Sequence, residues 1–278
     1  MSSVLILVIC IVIFSIAYHV YGRFLSHMFD IDDSIPTPAN TNNDGVDFVP
    51  AKNSFFLFGH HFSSIAGAGP IVGPVLACLY WGWGAAIIWI IIGSILIGGV
   101  HDFGSIAVSI NSGGRSVASV AESILSKKAK IIMSVFVLLT LILVNAVFLL
   151  LGAKTYTSQP DVVIPSFGVI LIAPVVGFFI YRLRSSQLWV TIGGLAAFVL
   201  LMYLGSIYPV KVSTINFWIA LLLIYCYIAS ILPVNVLLQP RDYLSAYFLL
   251  FGVLFGIYGI FTKNPGFNYP AFTGFHSV

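Results

Sequence analysis

Charged side chains are what this sequence has least of. Asp, Glu, Lys and Arg make up 8% of its 278 residues, against about 25% in a typical soluble domain. So few charges cannot cover the surface of a water-soluble core, and the chain reads as a membrane protein. Cysteine is equally sparse: Cys10, Cys78 and Cys226 lie far apart, each inside an apolar run. That spacing excludes a disulfide framework and a Cys-based metal site, and leaves three buried small hydrophobes. No His-Glu-x-x-His pattern and no nucleophile–base constellation falls within the apolar runs, so an enzyme is not expected, nor a metal or a cofactor. A formal net charge of +3, with no basic face interleaved with aromatics, gives no footing for nucleic acid.

What is abundant is hydrocarbon, with 59% of the residues hydrophobic. Apolar runs cover 4–21, 55–81 (interrupted), 84–103, 131–152, 163–181, 188–207, 215–238 and 243–261. Most reach the roughly 20 residues that span about 30 Å of bilayer core as a helix. The runs are continuous rather than alternating, which excludes barrel strands. The fold class is therefore all-α, a polytopic membrane protein with about eight transmembrane helices. The first run lacks a basic flank and an Ala-x-Ala site before the next polar stretch, so it is expected to be a retained helix rather than a signal peptide.

Lys and Arg set the orientation. The segment 105–130 carries Arg115, Lys127, Lys128 and Lys130 against a single Glu122, and Arg182 and Arg184 follow Tyr181 without an acid. Both are predicted to face the cytoplasm. Alternation then puts 153–162 and 208–214 outside, and the Pro240–Asp242 corner and the polar loop 23–54 inside. That loop is the one long polar connection, rich in Asp, Asn and Pro. Acids weigh little in this rule, so its Asp residues are no obstacle. No second domain is visible, and residues 1–278 read as a single transmembrane domain.

Two interruptions stand out. Residues 59–74 read Gly-His-His-Phe-Ser-Ser-Ile-Ala-Gly-Ala-Gly-Pro-Ile-Val-Gly-Pro, a helix-breaking composition tolerated at membrane depth only where it lines a protein-enclosed cavity. Five spans later, Ile231-Leu232-Pro233-Val234-Asn235 interrupts another run. Paired broken helices in corresponding positions point to an inverted-repeat transporter with its site at the breaks. The candidate substrate-binding residues are Gly67, Ala68, Gly69, Pro70, Gly73 and Pro74 at the first break, and Pro233, Asn235 and Gln239 at the second. Glycines let backbone approach a ligand, prolines remove donors, and half-helix N-termini offer positive dipole ends to a carboxylate. Close helix packing through the Gly69–Gly73 spacing is the competing reading.

His60, His61, His101, Asp102, Arg241 and Asp242 are the candidates for proton coupling or gating, because ionisable groups in apolar spans are costly and histidine titrates near physiological pH. Adjacent His60 and His61 point about 100° apart on a helix, so one of them is expected to be structural. Asp102 needs a partner, with His101, Arg115 or a more distant Lys available. Arg241 and Asp242 read either as snorkelled anchors or as a gate salt bridge.

Several of these stretches also carry a resemblance. Residues 59–74, Gly98-Gly99-Val100-His101-Asp102-Phe103, Gly113-Gly114-Arg115-Ser116 and the run 232–244 resemble motifs of the carbon starvation protein A family. Thr37-Pro38-Ala39 and residues 43–50 of the polar loop do so as well. The resemblance covers nearly the whole chain. It implies a multi-pass inner-membrane secondary transporter associated with peptide or pyruvate uptake when carbon runs short. It also implies kinship with the amino acid–polyamine–cation superfamily, hence a leucine-transporter-like core. Proton-coupled alternating access on a small carboxylate-bearing substrate is the function expected. Members are usually much longer, and such a core needs about ten helices, of which this chain supplies roughly seven. The second repeat is therefore expected to be incomplete. Residues 270–278 resemble two family segments brought together. The alternative expectation is a truncated or split-gene subunit that does not transport alone, a second chain supplying the missing helices.

Overall fold

The computed structural model describes residues 2–183 and 186–274; Arg184 and residues 275–278 lie outside them. Among the described residues the elements are helical, apart from one isolated antiparallel bridge between Ser2 and Gly266. In chain order they are α1 (Ser3–Met28), α2 (Pro38–Thr41), α3 (Ser54–Ile65), α4 (Ala68–Trp81), α5 (Trp83–Asn111), α6 (Val117–Ile124), α7 (Lys127–Ser158), α8 (Pro160–Arg182), α9 (Gln187–Ile207), α10 (Ile215–Ile231) and α11 (Leu238–Lys263). Six of these, α1, α5, α7, α8, α9 and α11, are long and apolar enough to cross a membrane, and α3 with α4, bent by 43°, has the form of a broken span or a re-entrant loop. The chain is thus an all-α polytopic membrane protein. An eighth full span does not follow, because α10 has 17 residues, about 26 Å at 1.5 Å per residue.

Element ends differ from the sequence reading wherever polar residues continue a helix. The 23–54 connection shortens because α1 runs on to Met28, and the 105–130 loop shortens because α5 continues to Asn111 and Ser116 caps α6, its hydroxyl accepting from Ser119 N. The Pro240–Asp242 corner is no loop. It lies in the opening turns of α11, where proline is tolerated because the N–H it lacks would have no helical partner. The second interruption accordingly separates two helices, α10 and α11, instead of dividing one span.

By its internal contacts the chain divides into two units. The first comprises Met1–Thr41, Ala68–Phe136 and Phe251–Val278. In it α1 begins at Ser2, whose hydroxyl accepts from Leu5 N and donates to Asn264 Oδ1 at 2.7 Å. Glycines bring α1 against α5, with Gly99 facing Tyr21 and Leu25 and Gly104 facing the Phe29 ring. Gly99 and Gly104 lie in and beside a π-type stretch, Gly93–Phe103. Between α4 and α5, Gly82 takes φ 94° and sits under Ala271, where a Cβ would lie 2.6 Å from a carbonyl oxygen. The segment around Ala271 closes this turn through Gly84 N to Ala271 O at 2.9 Å and Thr273 N to Trp81 O at 3.2 Å.

The second unit comprises Asn42–Gly67 and Val137–Leu250, with α8 at its centre. Small residues again set the approach: Gly168 faces Leu201, Gly194 faces Val176 and Leu244, and Gly205 meets the backbone of Asp161. Phe56, Val169, Val176, Ile180, Tyr243 and Leu244 form the largest core, and Phe56 stacks on Tyr243 at 4.3 Å between centroids. Trp218, its indole N–H donating to Val212 O, packs with Ala153 and Val163 in a second cluster.

The polar loop enters this unit as a turn organised by Asp44. One carboxylate oxygen accepts the backbone N–H groups of Val46, Asp47 and Phe48 at 2.9 Å each. Those bonds, Val46 and Phe48 foremost, hold the Asp44 carboxyl below its ordinary value. A depressed carboxyl stabilises the turn above its unfolded pKa of about 3.9, and that support is lost as the pH falls through the folded value. The turn is therefore expected to be intact at pH 7 and to loosen only below about pH 4. In Asp44→Ala the amide resonances of 46–48 should take loop-like positions already at pH 7; unchanged shifts would remove Asp44 from this role.

Candidate functional site

The titratable residues that the structure gathers lie on α3 and α11, within the second unit. Asn53 starts α3 by accepting from Phe56 N at 2.9 Å, and one and a half turns on, Gly59 lets the helix approach Tyr243 and Ala246. That approach delivers His60 to Asp242, with Nδ1 3.0 Å from Oδ2. The separation is an ion-pair distance, off hydrogen-bond geometry, and this buried nitrogen has no hydrogen-bond partner among the described residues. Asp242 is 5% exposed, which rules out the snorkelled-anchor reading. Its Oδ1 accepts from Arg241 Nε at 2.9 Å and Nη2 at 2.7 Å. Arg241 Nη1 donates to Tyr225 Oη at 2.5 Å. The Ser64 hydroxyl donates to His60 O at 2.8 Å and stands 3.5 Å from Asp242 Oδ2.

This is a charge triad built on a buried carboxylate in an apolar setting. One carboxylate is held permanently by a guanidinium, and its second oxygen faces an imidazole that can be neutral or charged. A proton gained by His60 changes the charge beside Asp242 from one cation to two. Intramembrane ionisable groups so arranged are the usual parts of proton-linked transport. His61 points away, exposed, with its ring centroid 6.2 Å from that of His60, as the helical offset requires. Among the described residues His101 and Asp102 pair only with each other, Nδ1 to Oδ1 at 2.8 Å, on an exposed part of α5 in the first unit.

Behind Asp242 runs a neutral chain that the sequence reading did not identify. Tyr243 Oη lies 2.9 Å from both Thr191 Oγ1 and Tyr247 Oη, and receives Gln187 Nε2 at 3.1 Å. Gln187 Oε1 in turn accepts from Asn53 Nδ2 at 2.6 Å. Asn53 thus caps α3 and ties it to α9 and α11. Partners as far apart in sequence as Asn53 and Gln187 leave no local signal. The available clue was the number of hydroxyls and amides, Tyr225, Tyr243, Tyr247 and Thr191 among them, inside apolar runs.

At the first break α3 ends at Ile65 and α4 begins at Ala68, with Gly67 N bonded to Ile65 O at 2.8 Å. Ala68, Gly69 and Pro70 form the first turn of α4. Pro74 lies inside that helix and deprives the Pro70 carbonyl of its helical donor. A Cβ at Gly67, Gly69 or Gly73 would meet no atom within 4 Å among the described residues, so the Gly69–Gly73 spacing seats no helix there. At the second break Val236 N bonds Pro233 O and Gln239 N bonds Val234 O. Gln239 is buried and accepts from Tyr181 Oη at 2.6 Å, whereas Asn235 Oδ1 is buried without a hydrogen-bond partner among the described residues.

Comparison with known proteins adds an independent line. A family model described as carbon starvation protein CstA matches residues 2–278. "Peptide transporter CstA" of Bacillus subtilis is 34% identical, over 99% of this chain and 47% of that protein. "Peptide transporter CstA" of Campylobacter jejuni is 34% identical, over 91% of this chain and 37% of its own. "Pyruvate/proton symporter BtsT" of Escherichia coli is 32% identical, over 98% and 39% respectively. The chain therefore spans less than half the length of these relatives. No solved structure matches it.

Proposed function

The chain belongs to the carbon starvation protein CstA family, and from that membership we propose that it is part of a proton-coupled secondary transporter. The cargo is a small carboxylate-bearing nutrient, a peptide or pyruvate, taken across the inner membrane by alternating access. The single observation that carries this reading is the buried Asp242, shared between Arg241 and His60 on apolar helices. His60 is the proton-sensing member, and Arg241 keeps Asp242 ionised while the imidazole is neutral. Protonation of His60 draws Oδ2 toward α3 and tightens α3 against α11; release of the proton relaxes it. Coupling arises because Gly67 lies two residues beyond the end of the same α3 helix and Gln239 lies in the first turn of the same α11 helix.

In the first unit, substrate recognition is assigned to the α4 N-terminus, where Ala68, Gly69, Pro70, Gly73 and Pro74 leave open space and exposed main chain for a carboxylate. In the second unit it is assigned to Pro233, Asn235 and Gln239, with the unpaired Asn235 amide as the contacting group. The bend between α3 and α4 is the feature that supports an inverted-repeat core. His101 and Asp102, exposed and paired with each other, suit a gate at the end of their helix rather than the proton step.

Uptake of labelled pyruvate and of dipeptides into proteoliposomes containing this chain, with and without an inward proton gradient, tests the proposal. Gradient-driven accumulation is expected for one class. His60→Gln should abolish the gradient's effect, and His61→Gln should leave it within about two-fold, since an exposed surface substitution is nearly silent. Equal behaviour of the two variants would sink the assignment of His60.

A further inference from the structure

Within the first unit, α1 and α5 enclose a groove of about 800 Å³ that none of the proposed transport residues lines. The two helices run parallel along it, since Gly99 faces Tyr21 and Leu25 while Gly104, further on, faces Phe29. Phe14, Ala17 and Ile95 make its deep part apolar, and His19, Arg23 and Ser26 occupy the part nearer the end of α1 at Met28. From Phe14 to Ser26 is about 18 Å along the helix, comparable with the roughly 15 Å hydrocarbon depth of one leaflet. Arg23 lies about 7 Å before the end of α1 by the same rise, within snorkelling reach of the interface. Among the described residues it makes no ion pair and no hydrogen bond, and no acid lines the groove. His19 uses Nδ1 on Ser15 O, which leaves its other nitrogen to face outward.

A cation without a counter-charge, placed at headgroup level above a leaflet-long apolar channel, matches one class of ligand. We propose that this groove holds an anionic phospholipid, its acyl chain along Phe14, Ala17 and Ile95 and its phosphate on Arg23, with Ser26 as a further donor. The guanidinium binds phosphate oxygens in a fork that a zwitterionic headgroup's own ammonium contests. A free phosphate would leave the apolar length unfilled, and a protein segment would need an acid to answer Arg23.

The test is native mass spectrometry of the full chain in detergent, titrated with phosphatidylglycerol or phosphatidylcholine. Phosphatidylglycerol is expected to be retained about five-fold better, the effect of one juxtamembrane arginine. Arg23→Gln should erase that preference, and Arg23→Lys should keep most of it. Gly22 has open space around its Cβ position, so Gly22→Phe fills the groove and should lower retention of both lipids. An unchanged preference in Arg23→Gln, or displacement of the lipid by glycerol phosphate alone, would overturn the proposal. So would a wild type that retains neither lipid, which would give the groove to protein. Should Gly22→Phe fail to insert, the Arg23 pair still decides.

Discussion

Asp242→Ala is expected to lower the stability of the second unit by about 3 kcal/mol, because it leaves the buried half of Arg241 without its counter-charge. Arg241 keeps only Tyr225, a neutral acceptor, in place of two charge-assisted bonds to Asp242 Oδ1. The value is set at the low end of the range for broken buried pairs because the Arg241 side chain is 29% exposed. Unfolding titrations in mixed micelles measure it, and a loss below about 0.5 kcal/mol, the size of an ordinary surface change, would contradict the burial argument. The paired replacement Arg241→Met with Asp242→Leu should recover most of the stability, since apolar side chains of similar volume often replace buried ion pairs without loss. It should not recover proton coupling. Separating the two outcomes distinguishes a charge pair kept for function from one kept for the fold.

Gly205→Val should be nearly as damaging, by about 2 to 3 kcal/mol, although Gly205 touches no candidate site residue. Any Cβ at that position would lie 2.2 Å from the Asp161 carbonyl oxygen and 3.0 Å from the Pro165 ring. Backbone at the α8 N-terminus cannot step aside as a flexible side chain could, so α8 and α9 would have to separate. Gly193 lies on the same helix with no atom within 4 Å of its Cβ position. Gly193→Ala should instead be neutral, or stabilising by about 0.5 to 1 kcal/mol through the usual helix preference for alanine. If both substitutions cost the same, close packing of α8 on α9 is not what holds them.

These contrasts explain how much of the protein could be read in advance. Helix identity followed from run length, because in hydrocarbon a continuous apolar stretch has no other way to satisfy its backbone. The break at Gly67 was legible for the same reason, as glycine and proline there serve no helix. Pro240-Arg241-Asp242 misled because proline and charge together normally mark a loop. Here the proline falls where its missing N–H is not needed and the two charges neutralise one another, so the helix carries them inward. Which of His60 and His61 is the structural one was hidden for the same reason. The value of His60 depends on Asp242, 182 residues away, and on Gly59 permitting the contact, neither of which any local pattern displays. The Asn53, Gln187 and Tyr243 chain was hidden likewise, since its links join elements that only tertiary packing brings together.

The bond between Ser2 and Asn264 has a consequence for the order in which the protein is made. Its two ends are separated by 262 residues, and the turn at Gly82 is closed by Pro270 and Ala271. Since chains emerge from the N-terminus at about 5 to 20 residues per second, α1 and the α4–α5 turn must wait at least ten seconds or so in the bilayer before these partners arrive. The contacts of the second unit within this chain reach no further than Leu250, so they are available before residues 264–273 emerge. Within this chain, α1 and the α4–α5 turn are thus made early and closed late, once residues 264–273 have emerged.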